Sequence, residues 1–188
     1  MKTNFELSDE KKINSSGVEL FRIKVKKKFT NKFEGDIEVG SIGGWVDNIA
    51  RVSGNAWVYG DAEVYGDAEV YGDAEVSGNA RVYGNARVYG NARVYGNARV
   101  YGNAEVYGNA WVYGNARVYG NAWVYGNARV YGNAWVYGDA WVYGNAWVYG
   151  NCKIKIILCS KFNFEFQWQV EEWVNLEKEF EKKLKEKR

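Results

Sequence analysis

The chain contains no histidine, the side chain most often used as a general base or zinc ligand near neutral pH. No stretch is long and apolar enough to span a membrane. The opening residues, Met1 to Glu10, hold no apolar core of signal-peptide length. Charge of one sign is also scarce. With 25 basic and 23 acidic residues the formal net charge is +2, and residues 51–151 carry seven Arg against eight Asp and Glu. That balance gives no field for a nucleic acid, which is not expected as a partner. Cysteine is limited to Cys152 and Cys159, and Cys152 reads as a small buried hydrophobe. A reduced, cytoplasmic protein with neither membrane nor metal partner is the expectation.

What is present is repetition. From Ser53 to Val148 one six-residue phrase, [Tyr/Ser]-Gly-[Asn/Asp]-Ala-x-Val, occurs sixteen times without insertion or deletion. Tyr149-Gly150-Asn151-Cys152-Lys153-Ile154 is a decaying seventeenth copy. A short fixed period means that each unit buries its apolar face only against its neighbours, which predicts a solenoid. In x-Val-Tyr the β-favouring triplet points Val one way and both x and Tyr the other. Gly-Asn supplies a corner tolerant of positive φ, and Ala is small enough to face inward beside it. The expected core is therefore stacked Val and Ala. Outside stand a Tyr column, which holds all 15 tyrosines, and a variable x column.

Three-residue strands with two-residue corners need about three units to close a coil, which makes i and i+18 vertical neighbours roughly 4.8 Å apart. At that offset Arg51/Glu69, Glu63/Arg81, Glu69/Arg87, Glu75/Arg93 and Arg87/Glu105 are opposite in sign. Only Arg81/Arg99 and Arg99/Arg117 are alike. A two-unit coil brings four like pairs together, but a four-unit coil does as well as three, so charge leaves three and four open. The spacing Val-x-Gly-[Asn/Asp]-Ala-x resembles the hexapeptide repeat of left-handed parallel β-helices, triangular prisms with three hexads per turn. That resemblance, and nothing in the residues, implies the left hand, since the general crossover rule favours the right. More narrowly, Leu20-Phe21-Arg22-Ile23, Gly35-Asp36, Gly43-Gly44-Trp45-Val46 and Ser53-Gly54-Asn55-Ala56-Trp57-Val58-Tyr59 resemble the YdcK-type solenoids of bacteria and their phages.

The expected fold is all-β: a single-stranded left-handed parallel β-helix with a capping segment at each end. Residues 1–46 are read as an N-terminal β cap, 47–154 as the solenoid, and 155–188 as a strand followed by an amphipathic helix. Phe162, Phe164, Phe166, Trp168 and Val170 alternate with polar residues as in a half-buried strand. Beyond Glu171, Trp173, Leu176, Phe180 and Leu184 share a helical stripe, with Glu179/Lys183 and Glu181/Lys185 as i,i+4 pairs. An uncovered solenoid end is an open β edge, so covers at both ends predict a discrete rod.

The resemblance implies an acyltransferase as one function, but such enzymes generally use a histidine base, often in a loop extruded between coils, and the hexads have neither. The absence of histidine equally rules out zinc held by three histidines, as in the γ-type carbonic anhydrases that share the fold the resemblance implies. The acidic coil of Asp61, Glu63, Asp67, Glu69, Asp73 and Glu75 is read as corner residues and partners for the Arg coil above, in preference to a calcium site. The x column turns aromatic toward the end: Trp111, Arg117, Trp123, Arg129, Trp135, Trp141 and Trp147 are the candidate binding residues. Ladder stacking with cation–π contacts would account for them without a ligand. Exposed aromatic area on this scale would instead mark an interface. The leading function is a non-catalytic scaffold without cofactor that binds a protein partner or forms a homo-oligomer. A glycan binder is second and the acyltransferase third.

Overall fold

A computed structural model describes residues 3–48, 51–155, 157–158, 163–164 and 168–172, with 175 and 179. The hexads wind into a parallel β-solenoid of about 6 turns. Residues eighteen apart are paired throughout: Glu63 faces Arg81, Arg81 faces Arg99 and Arg99 faces Arg117. Three hexads therefore make one coil, and the coils give three sheets. Face I carries the x residues Trp45, Glu63, Arg81, Arg99, Arg117, Trp135 and Lys153. Face II carries Glu69, Arg87, Glu105, Trp123 and Trp141, with Arg51 beside the Val52–Val70 bridge. Face III carries Trp57, Glu75, Arg93, Trp111, Arg129 and Trp147.

Each hexad uses its backbone in the same way. Arg87 N donates to Ala104 O at 2.9 Å, Tyr89 N to Val106 O at 3.0 Å and Asn91 N to Gly108 O at 2.8 Å. The corner amide thus joins the ladder along with the strand, so the coils are bonded around the whole perimeter. Every hexad Val and Ala is fully buried, and Cys152 continues the Ala column inward. The corner glycine takes φ near +70°, as at Gly90 and Gly96, the region that glycine enters without strain.

The N-terminal strands are β1 (Phe5–Ile13), β2 (Glu19–Val25), β3 (Phe29–Asn31), β4 (Gly35–Ile37) and β5 (Ile42–Val46). β1 and β2 extend the face I sheet in antiparallel fashion to β5. β5 already runs parallel to Glu63–Gly66, pairing Trp45 with Glu63 and Val46 with Val64. The first rung on face I is therefore Trp45-Val46, ahead of residue 47, where the sequence reading begins the solenoid. β1 and the β3–β4 hairpin also cover outer surface. Phe5 and Phe29 pack on Trp57, which is buried, as are Tyr65 and Glu63. These N-terminal strands cover outward residues on faces I and III, while Glu69 on face II stays exposed.

At the other end the register changes. Trp141 pairs with Ile157 and Trp147 with Asn163, an offset of sixteen, because two residues separate Ile154 from Ile157 where a hexad has four. Residues 168–172 are helical, so the helix starts ahead of Glu171, inside the alternation Phe162 to Val170 that predicts strand; Val170 stands three residues before Trp173 and fits the helical stripe as well as the alternation. Val170 is buried against the core while Trp168 is exposed. Phe162, Phe166, Trp173, Leu176, Phe180, Leu184, Cys159 and the partners Lys183, Glu181 and Lys185 lie outside the described residues. No described helix is long and apolar enough to cross a membrane.

Candidate recognition surface

The eighteen-residue coil decides what each outward side chain meets. Tyr71, Tyr89 and Tyr107 stack with centroids 4.8–4.9 Å apart and planes 3° apart. Tyr83, Tyr101 and Tyr119 do the same on the face I edge, and Tyr95, Tyr113 and Tyr131 on the face III edge. Ser77 stands in the last column between Tyr59 and Tyr95. Beside each Tyr column runs an amide ladder at the corner. Asn91 Nδ2 donates to Asn109 Oδ1 at 3.2 Å, Asn109 to Asn127 at 3.2 Å and Asn127 to Asn145 at 3.1 Å. The repeated Asn signalled a corner in the sequence; its side-chain ladder follows only once the coil length is known.

The candidate residues divide among the three faces. On face II, Trp123 and Trp141 stack at 5.1 Å and 5°, and Tyr107 meets Trp123 edge-on at 6.4 Å. On face I, Trp135 lies between Arg117, 4.9 Å from its ring centroid, and Lys153, 4.8 Å away. On face III, Trp111 lies between Arg93 at 5.3 Å and Arg129 at 4.7 Å, and Arg129 also stacks under Trp147 at 5.0 Å. No single patch gathers all seven residues. The flat faces of Trp111 and Trp135 are taken by cations in the neighbouring coils, so these rings offer mainly edges to solvent. The largest aromatic exposure on the hexads belongs to Trp141 (37%) and Trp147 (38%), the last two tryptophans before the register changes.

Face III is concave at this level. Asn109, Asn127 and Asn145 on one side and Trp111, Arg129 and Trp147 on the other line an open groove of about 450 Å³.

The acidic first coil is fully employed. Glu75, 1% exposed, accepts from Arg93 Nη2 at 3.0 Å and from Tyr59 Oη at 2.8 Å. Glu63 meets Lys12 at 2.9 Å and Arg81 at 3.3 Å. Arg87 lies between Glu69 (3.6 Å) and Glu105 (3.8 Å), as the i+18 rule requires. Arg51 instead reaches corner Asp67 at 2.9 Å, so Glu69 is left to Arg87. Among the described residues no three His, Cys, Asp or Glu side chains come together to hold a metal.

Burial pushes the stacked phenols upward, as at Tyr83, Tyr95, Tyr101 and Tyr119. Tyr89 is raised furthest in its column, by burial first and then by its hydrogen bond to the Glu105 carboxylate. A phenol held protonated is neither base nor nucleophile near neutral pH. The columns of this rod are built for stacking.

The family model for the YdcK beta solenoid repeat matches seven overlapping windows, from residues 74–90 to residues 122–138. Over residues 74–138 the coils are thus similar to the YdcK beta solenoid repeat. The matched stretch takes in Glu75, Arg93, Trp111, Arg117, Trp123, Arg129 and Trp135, and stops short of Trp141 and Trp147. No curated protein matches the chain. The match covers coils that carry three of the five C-terminal x-column tryptophans, Trp111, Trp123 and Trp135.

Proposed function

We propose that this chain is a non-catalytic cytoplasmic scaffold of the left-handed hexapeptide-repeat kind, whose C-terminal coils dock a protein partner or a second copy. The observation that carries the reading is the distribution of side chains on the hexads. Each column meets the same column one coil away, and the aromatic area left over concentrates at Trp141 and Trp147, at the end of the regular coils. Aromatic edges flanked by Arg are the composition favoured at protein interfaces. Acyl transfer has no support in these coils, because the phenols are held protonated and the buried carboxylates are committed to Arg93, Arg81 and Lys12. A neutral glycan stacking ring on ring is poorly served, since Trp111 and Trp135 already have cations on their faces.

The test replaces Trp141 and Trp147 by Glu. Glu at 147 would lie over Arg129 as Glu75 lies under Arg93, so the ladder stays electrostatically matched. Light scattering over a concentration series should show self-association lost, with the melting temperature lowered by only a few degrees. A wild type that stays monomeric, with a variant that melts far lower, would assign both tryptophans to holding coils together.

A further inference from the structure

Arg93 and Arg129 occupy the same column of face III, two coils apart, and both stack on Trp111. Their charges are handled differently. Arg93 has Glu75 beneath it and donates to that carboxylate at 3.0 Å. Beneath Arg129 the corresponding residue is Trp111, and above it is Trp147. Among the described residues Arg129 makes only these two cation–π contacts, with no hydrogen bond or ion pair. Stacking uses the flat faces of a guanidinium and leaves its in-plane N–H donors available. Arg129 is thus a cation clamped between two indoles, which limits the rotamer entropy it would lose on binding a ligand, and it lines the face III groove with the amides of Asn109, Asn127 and Asn145. Charge along the axis points the same way. From residue 76 to 155 there are six Arg and two Lys against Glu105 and Asp139.

We infer that the face III groove is a binding site for an acidic glycan, a linear chain of sugars bearing carboxylate or sulfate groups. Arg129 takes the oxyanion through paired N–H donors, and the amide ladder takes hydroxyls of successive sugar units. Asn109, Asn127 and Asn145 recur once per coil, roughly 4.8 Å, and one pyranose unit advances a chain by a comparable distance. An extended peptide presents the same side only every two residues, roughly 6.6–6.8 Å, and falls out of step with the amides within two rungs. A single-stranded nucleic acid would stack its bases on open aromatic faces, and both faces of Trp111 are occupied. This ligand is additional to the protein contact proposed above. Trp147 borders both surfaces, but Trp141 lies on face II, so Trp141→Glu alone tests association and Arg129→Gln tests glycan binding, and the two can fail separately.

The experiment is affinity electrophoresis of the full chain in native gels containing a polyuronate, a sulfated polysaccharide or a neutral glucan. The polyuronate or the sulfated polymer should retard the wild type and the neutral polymer should not, and whichever of the two retards more identifies the oxyanion. Arg129→Gln should weaken binding by about ten- to a hundredfold, the usual range for a charge-assisted hydrogen bond. Arg129→Lys should recover only part of it. Asn127→Asp keeps the shape of the groove while placing a like charge in it, and should also abolish retardation. Arg87→Gln, on face II, should bind as the wild type does. Wild type that ignores both acidic polymers would overturn the inference. So would an Arg87→Gln loss equal to that of Arg129→Gln, or tighter binding of a single-stranded oligonucleotide.

Discussion

Three glycine-to-alanine substitutions separate the two costs of a solenoid corner. Gly17, Gly120 and Gly138 all have positive φ, at 79°, 75° and 64°. Alanine at any of them costs about 1–2 kcal/mol for the left-handed backbone, offset equally by about 0.4–1 kcal/mol from a less flexible unfolded chain. They differ in what the new methyl meets. At Gly17 there is nothing within 4 Å. At Gly138 the nearest atom is Cγ of Lys155 at 3.2 Å, a side chain that can swing aside because the register change has removed the corner above. At Gly120 the methyl would stand 2.9 Å from Gly138 N and 3.1 Å from Gly138 O, backbone atoms fixed by their own coil. That clash adds about 1–3 kcal/mol, the range for overpacking a filled site. Urea titration followed by circular dichroism should therefore give Gly17→Ala and Gly138→Ala similar, small losses in midpoint, and Gly120→Ala a clearly larger one. Equal losses at all three would refute the claim that corner glycines are selected by coil-on-coil contact as well as by φ.

Other expectations follow from the core and the columns. Val88 is fully buried; Val88→Asp loses about 1.5–3 kcal/mol of apolar burial and buries a charge, so adjacent coils should unravel together and limited proteolysis should cut on both sides of residue 88. Melting within a few degrees of wild type would contradict the inward placement. The raised phenols set the alkaline behaviour. Tyr71, Tyr89, Tyr101 and Tyr107 hold their protons more tightly folded than unfolded. The stability they contribute is complete below the unfolded value near 10 and is lost as pH rises through the folded values. Near-ultraviolet absorbance should show phenolate appearing late and together with loss of circular dichroism; an ordinary titration of the folded rod would show that the columns are freely solvated.

The inward Val and Ala and the corner Gly were legible because a six-residue period without gaps leaves them one arrangement, whereas three hexads per coil came from the family resemblance, since charge left three and four open. The partition of the tryptophans also followed, with Trp123 beside Trp141 and Arg129 between Trp111 and Trp147. The first coil was not legible. Glu63, Trp57 and Tyr65 occupy outward slots of the repeat, and only the strands folded over them by long-range contact make those slots interior. The pairing of Arg93 with Glu75 was given by the eighteen-residue offset, but the Asn109, Asn127 and Asn145 ladder that borders Arg129 was not, because a corner Asn shows no partner until the coil length is known. The position of the change from strand to helix near Trp168 was missed because Val170 fits both the alternation that begins at Phe162 and the helical stripe through Trp173, and the two periods overlap there.

Every partner assigned on the three faces depends on the eighteen-residue register, and pyrene excimer emission reads that register directly. With Cys152→Ala, which fits the inward Ala column, and Cys159→Ser as background, Arg99→Cys and Arg117→Cys place two labels on adjacent rungs of face I. Labelled with pyrene maleimide, this pair should show strong excimer emission at concentrations where singly labelled protein shows none. Arg99→Cys with Trp111→Cys, twelve apart and on different faces, should show monomer emission only. Excimer from the twelve-residue pair, or its absence from the eighteen-residue pair, would contradict the three-hexad coil and every column built on it.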